Sequence, residues 1–319
     1  MLGSMKAPKA PSQRGRPYST TSLPEFQRAF PDERACYDFL LRQLWPDGFV
    51  CPRCGGRRCA FVATRADYLC QTCLQHISLT AGTIFHKSKV PLHLWFWLIF
   101  LMATHKKGVP ALYAQKVLGL KSYQTAWLMG HKLRHAMRQR DAAYQLAGTV
   151  EVDESYYGGK RRGGKRGRGS GKTPVLITSE NRGGKPGFAQ MRVLTLTGVG
   201  EEQVGPALVQ AIRAGSTLRT DGLPSYGTAG KRGYTHDRQV LGGDMARTAK
   251  VLPWVHVLAS NSKRFLLATH HGVAPKYLDR YLAEFTYRYN RRRWHGELFE
   301  RLLYACVTAD PAPLGTVSR

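Results

Sequence analysis

Acidic side chains are scarce in this chain of 319 residues: 21 Asp and Glu stand against 48 Lys and Arg, a formal charge of +27 with a pI near 10.2. Such an excess points to a polyanionic partner, nucleic acid first. An anionic membrane surface is the competing partner, but the cations are spread over the chain and not gathered beside one amphipathic helix. A long hydrophobic run is missing too. The longest, VPLHLWFWLIFLMAT (90–104), would span about 22 Å as a helix, short of a bilayer core, so it reads as a buried helix. Residues 1–21 lack the apolar core of a secretory signal, and a soluble protein is expected. Nor is the cysteine count even: of seven Cys, four fall in C-x-x-C pairs, which is metal arithmetic for a reducing compartment and not a disulfide framework.

Taken in order, residues 1–22 read as a disordered basic arm rich in Pro, Ser, Lys and Arg. Residues 23–85 hold a helical pattern from Leu23 to Leu44, interrupted at Pro31, and then CPRC (51–54) and CQTC (70–73). The spacing C-x2-C-x15-C-x2-C fits a structural zinc ribbon, with Cys51, Cys54, Cys70 and Cys73 as tetrahedral thiolate ligands. Cys59 is a bystander by this reading, and Cys36 and Cys306 are core residues. Residues 86–145 are helical. Pro110 can open one helix, Gly119 end it, and Ser122 cap the next, whose Ala126, Met129, Leu133 and Met137 form a buried stripe. Lys132, Arg134 and Arg138 then face elsewhere, as in a helix-turn-helix laid on DNA.

From residue 146 to 308 the pattern is α/β. In GTVEVDESYYGG (148–159) polar residues alternate with Val150 and Val152, a strand with one buried face that sends Glu151 and Asp153 to the side the core does not fill. Apolar runs at 174–178 and 191–198, a helix over 201–214 and a strand STLRTDG (216–222) follow, with Asp221 at that strand's end. This order is that of an RNase H-like mixed sheet flanked by helices, in which neighbouring strands can present a pair of Asp to divalent metal. Read singly, Asp153 could be a solvated strand residue and Asp221 part of a turn. The insertion 158–172 carries Lys160, Arg161, Arg162, Lys165, Arg166, Arg168 and Lys172 with no acid. Its glycines forbid a stable helix, so it reads as a mobile hairpin extension able to reach phosphates. Later, WVHVLAS (254–260) reads as the last core strand, with Asn261 and Lys263 at its end. Tyr277, Leu278, Tyr281, Leu282 and Phe285 mark a helix, Glu297 to Val307 a closing helix, and residues 309–319 a tail. His270 and His271 could cap a helix or touch DNA.

In CPRCGG with CQTC, VEVDESYYGGK, RTDGLPSY, SNSKRFLLATHHGV and YLAEFTYRYNRRR, the chain from about residue 30 to 306 resembles insertion-sequence transposases that join a zinc ribbon to a DDE-type domain, the ISXO-type group. The resemblance implies a DNA transposase that nicks at terminal inverted repeats and joins the freed 3′-OH to target DNA. It implies Asp153 and Asp221 as catalytic carboxylates binding Mg2+ or Mn2+. As the third ligand it implies Asn261, followed by Lys263 on the phosphate, the D–D–N–K variant. It also implies double-stranded DNA as partner, a homo-oligomer of at least two copies, and a cytoplasmic, nucleoid-associated site in a bacterium or archaeon. Among the four competitors for the third ligand, His256, Asn261, Glu284 and Glu297, magnesium's preference for oxygen demotes His256 and Asn261 leads. The alternatives are a catalytically inactive DNA-binding regulator derived from such an enzyme, and a nuclease that cuts without joining.

Overall fold

The computed structural model describes residues 22–159, 170–195, 199–221, 223–240, 247 and 250–312. Residues 1–21 of the expected arm, Lys160, Arg161, Arg162, Lys165, Arg166 and Arg168 of the basic insertion, and residues 313–319 lie outside this description. The chain divides into two units, residues 1–136 with 294–319, and residues 137–293. Among the described residues no helix is long and apolar enough to cross a membrane.

The first unit begins with α1 (Leu23–Ala29) and α2 (Glu33–Leu44), separated where Pro31 was expected to interrupt the pattern. A capping box holds α1: Ser22 and Glu25 exchange side-chain to backbone bonds, satisfying two N–H groups that a helix start leaves over. Three short strands, β1 (Cys59–Val62), β2 (Asp67–Cys70) and β3 (His76–Ile77), form an antiparallel sheet in that order. Helix α3 (Leu92–Thr104) buries residues on every side, from Trp95 and Phe96 to Phe100 and Met102, as expected for the longest apolar run. Helices α4 (Ala111–Val117) and α5 (Tyr123–Ala142) follow, with Gly119 at φ 62° between them. Ser122 Oγ accepts the N–H of Gln124, the cap the sequence suggested.

On α5 the apolar stripe Ala126, Met129, Leu133 and Met137 is buried, but the cations are not displayed as expected. Arg134 is only 3 % exposed. Lys132 donates to the carbonyl of Ile84, and burial lowers its pKa. Arg138 is outward-facing and pairs with Asp279 at 2.7 Å. A stripe wide enough to be buried from residue 126 to 137 leaves too little free face on one helix for all three.

The closing helix α9 (Leu298–Thr308) belongs to this first unit, a correction to its expected place in the α/β domain. Phe299 draws it there, with its ring 5.6 Å from Phe26, 5.5 Å from Phe30 and 6.0 Å from Phe96. An aromatic cluster of this kind is worth more than its buried area alone.

The second unit is built on β4 (Thr149–Tyr157), β5 (Thr173–Arg182), β6 (Lys185–Val193), α6 (Glu201–Ala211), β7 (Thr217–Thr220), β8 (Thr235–Arg238), α7 (Pro253–His270) and α8 (Pro275–Asn290). The sheet order is β6-β5-β4-β7-β8. Strands β4, β5 and β6 are antiparallel in sequence, while β7 and β8 run parallel to β4. This is an RNase H-like mixed sheet. Gly183 and Gly184, both at positive φ, make the two-residue turn between β5 and β6. One face of the sheet buries Val150, Val152 and Leu176 with Val204 and Leu208 of α6. The other buries Val175, Ile177 and Met191 with Leu258 and Leu266 of α7 and Leu282 of α8.

Two expectations change here. The fifth strand is Thr235–Arg238, in a stretch that looked like polar connection, and residues 254–260 are helix, not strand. Within α7 the buried positions are Val255, Leu258, Ser262, Leu266 and Thr269, a period near 3.6 and not 2. The face of β4 that carries Glu151 is therefore covered by α7, not open. Helix α7 ends at His271, φ 52°, whose N–H returns to the carbonyl of Leu267. His271 is thus the helix cap that was one of its two expected roles. Two of the three Arg after α8 are internal: Arg291 reaches Asp141 at 2.7 Å, and Arg292 donates to the carbonyls of Pro186 and Tyr289.

Candidate active site and metal centre

The four cysteines of the two C-x-x-C pairs form one cluster. Cys51, Cys54, Cys70 and Cys73 have sulfurs all within 4.8 Å of one another, with Cys51 and Cys73, and Cys54 and Cys70, each 3.7 Å apart. Among the described residues they are the one group of three or more Cys, His, Asp or Glu gathered that closely. The N–H of Gly56 points at Cys54 Sγ, and that of Thr72 at Cys70 Sγ, both 3.4 Å. Such donors favour the thiolate form that binds metal. Gly56 is required by space: a Cβ there would come within 2.5 Å of Thr72 Oγ1. The donor set and its arrangement fit a tetrahedral structural zinc. Cys59 stands outside the cluster, and Cys36 and Cys306 are wholly buried core residues.

In the second unit, β4 and β7 are adjacent and parallel, and their last register pair is Val152 with Thr220. Asp153 and Asp221 are the next residue on each strand, on backbones about 4.8 Å apart. Asp153 Oδ1 accepts its neighbour Glu154's N–H, and Asp221 Oδ1 that of Leu223. The buried hydroxyl of Tyr226 donates to Glu154 Oε2 at 3.0 Å. Its pKa is raised first by burial, then by the charges of Glu154, Asp153 and Asp221. Both aspartates are therefore close enough to act on one phenol.

Helix α7 lies along the odd-numbered residues of β4. Glu151 is 0 % exposed and accepts the N–H groups of Trp254 (2.8 Å) and Val255 (3.2 Å) at the helix start, with Asn181 on its other oxygen at 2.8 Å. Next, His256 Nε2 lies 3.9 Å from Asp153 Oδ2. Then Lys263 Nζ donates to Ser155 Oγ at 2.7 Å and sits 5.2 Å from the Tyr157 ring centre. Finally, Tyr157 and Ser262 share a 2.7 Å hydroxyl contact, and Ser262 itself donates to the carbonyl of Leu258. Burial and then Lys263 lower the pKa of His256. The pKa of Lys263 is lowered by burial and then Lys172, against the opposing pull of Asp153. A cavity of about 520 Å³ opens beside Lys263, lined also by Tyr157, Lys172, Leu266 and His271. Neither aspartate lines it.

The structure thus brings Asp153, Asp221 and Lys263 into one region, and places Asn261 otherwise than expected. Because 254–260 is helical, Asn261 is an exposed residue of α7, turned about 140° round the helix from His256 at 100° per residue. Glu284 is fully buried on α8, 3.9 Å from Arg288, the structural pair that was its competing role. Glu297 pairs with Arg301 in the first unit. Two residues were missed. Glu151 was read as solvent-facing, and His256 was set aside on chemistry before its position was known. The signal available for both was the i, i+7 spacing of His256 and Lys263 after Pro253, which marks one face of a helix starting there.

A five-stranded RNase H-like sheet with one aspartate midway along its central strand and a second just past the end of the adjoining parallel strand, in a chain that also holds a four-cysteine ribbon, is the architecture of DDE-class nucleases and transposases. Residues 145–290 match the ISXO2-like transposase domain, and residues 31–76 match the transposase zinc-ribbon domain. The chain thus matches two transposase domain families, a zinc ribbon and a DDE domain, both of the IS1595 type. Neither a curated protein nor a solved structure matches it.

Proposed function

We propose that the chain is a DNA transposase that binds the terminal inverted repeats of its element, cleaves the DNA strand and transfers the 3′-OH end to target DNA. The observation that carries this reading is the placement of Asp153 and Asp221 one residue beyond the last pair of two parallel strands. Two carboxylates in that arrangement offer hard oxygen donors of the kind Mg2+ or Mn2+ takes. The divalent ions, when bound, supply the charge that activates the attacking water or 3′-OH and steadies the departing oxygen.

The protein's own groups do the rest. Asp153 and Asp221 would hold and orient that charge where β4 runs on past the end of β7. Lys263, drawn towards Ser155 and Tyr157, presents an ammonium beside them that can take a DNA phosphate oxygen. Lys160, Arg161, Arg162, Lys165, Arg166 and Arg168, which follow Asp153 closely in the sequence, supply contacts to the DNA backbone. Joining two ends of one element needs at least two copies of the chain on DNA.

The test is incubation of the full chain with donor DNA carrying the element ends, a target plasmid and Mg2+ or Mn2+. Joined product is expected from the wild type. Asp153→Ala and Asp221→Ala should bind the ends and yield none. Product from either variant removes these residues from the site. Binding without any cleavage in either ion supports a regulator, and nicking without joining a nuclease.

A further inference from the structure

We propose that His256 joins Asp153 as a protein ligand of a divalent ion, which gives the site an imidazole donor and moves its preference from Mg2+ towards Mn2+. The inference rests on the metal-dependent reading of Asp153 and Asp221 above.

Three observations carry it. First, His256 Nε2 and Asp153 Oδ2 are 3.9 Å apart, too far for a hydrogen bond. Two donors each about 2.1 Å from one ion lie at most about 4.2 Å from each other, so the gap is of the width that one ion fills. Second, Nε2 is covered and has no hydrogen-bond partner, although the residue as a whole is one-third exposed. A bound ion is one of the partners that can satisfy a buried polar atom of this kind. Third, the ring is carried on a helix held on both sides. Glu151 fixes the backbone of Trp254 and Val255 immediately before it, and Ser262 and Lys263 fix the helix two turns on. A ligand needs such support from its neighbours to keep its aim.

The other candidates are placed elsewhere: Asn261 on another face of the helix, Glu284 buried beside Arg288, and Glu297 in the first unit. An imidazole nitrogen is a poor ligand for Mg2+, and transition ions accept it more readily.

The experiment is Mn2+ titration of the full, zinc-loaded chain by electron paramagnetic resonance, without DNA. Wild-type protein should show nitrogen hyperfine modulation on bound Mn2+, lost in His256→Ala together with about tenfold or more of the affinity. Asn261→Ala should keep both. His256→Glu should restore affinity without the nitrogen signal and improve competition by Mg2+, which also shows that the fold survives substitution. Bound Mn2+ without nitrogen modulation in the wild type, or wild-type affinity in His256→Ala while Asp153→Ala loses the ion, overturns the inference and leaves the aspartates in place. Undiminished binding in Asp153→Ala overturns the metal site as a whole.

Discussion

Glu151, in the middle of a core strand, caps the helix that begins at Pro253, accepting the N–H of Trp254 at 2.8 Å across 103 positions of sequence. A helix start leaves its first N–H groups without partners, and here a carboxylate from another element supplies the acceptor and favours the positive end of the helix dipole. That one contact sets where α7 begins on the sheet, and hence which of its residues meet Asp153.

Removing the cap should be costly. Glu151→Ala leaves the buried donors of Trp254, Val255 and Asn181 without their acceptor, for a loss of at least about 2 kcal/mol in urea unfolding. Burial holds the Glu151 carboxyl above its ordinary pKa, against the hydrogen bonds that lower it. From the ordinary value of about 4.3 up to the raised one, the folded state holds more protons than the unfolded. Its contribution is complete below the lower value and declines as pH rises through the higher. Wild-type stability should fall over that window with a slope that Glu151→Gln lacks. Identical slopes mean that Glu151 ionises alike in both states.

The ribbon should carry one zinc per chain, and Cys51→Ser or Cys73→Ser should lose it, because the folding energy of so small a sheet comes largely from the metal. Elemental measurement with near-ultraviolet circular dichroism before and after chelation checks both points. A metal-free ribbon that keeps its native spectrum contradicts the structural role.

Lys263→Met should slow strand joining by about 10²–10³-fold at matched DNA occupancy, the range for losing one donor to a developing charge. Since burial and Lys172 lower the Lys263 pKa, wild-type activity should decline on the alkaline side as the ammonium loses its proton. Lys263→Arg, always charged, should push that limb to higher pH. An unmoved limb assigns the titration to another group.

Neutralising Arg161, Arg162, Arg166 and Arg168 should flatten the salt dependence of DNA binding, by about 0.9 in log–log slope for each phosphate that the protein no longer neutralises. Preference among DNA sequences should hardly change, since binding to the phosphate backbone carries none. A slope equal to wild type shows that these four cations do not reach phosphates.

Much of the architecture was legible because it is written in local spacing. Two C-x-x-C pairs at ribbon distance place four thiolates together in nearly any compact path. The alternation through Val150 and Val152 marks β4 as a strand, and the apolar run 92–104 can only be buried. The fifth strand was not legible. Thr235, His236, Asp237 and Arg238 sit at the sheet edge with no fully buried side chain among them, so no alternation of apolar residues announces it. The stretch around Val255 and Val257 misled for the opposite reason: β-branched residues favour strands as isolated residues, and packing overrode that preference.

By itself, then, the sequence determined the element types wherever a hydrophobic period exists, the ribbon ligands, the cationic balance, and the placing of Asp153 within one strand and Asp221 at the end of another. Tertiary structure alone decided that residues 253–270 are a helix, that Glu151 caps it, and that His256 and not Asn261 faces Asp153. It also decided that Phe299 takes the last helix into the aromatic core beside Phe26. Each of these depends on contacts between residues a hundred or more positions apart, or on which of two periods a packed surface selects. Propensity and spacing describe only neighbours along the chain, whereas burial against a particular sheet face chooses among the rotations and registers that local preference leaves equally open.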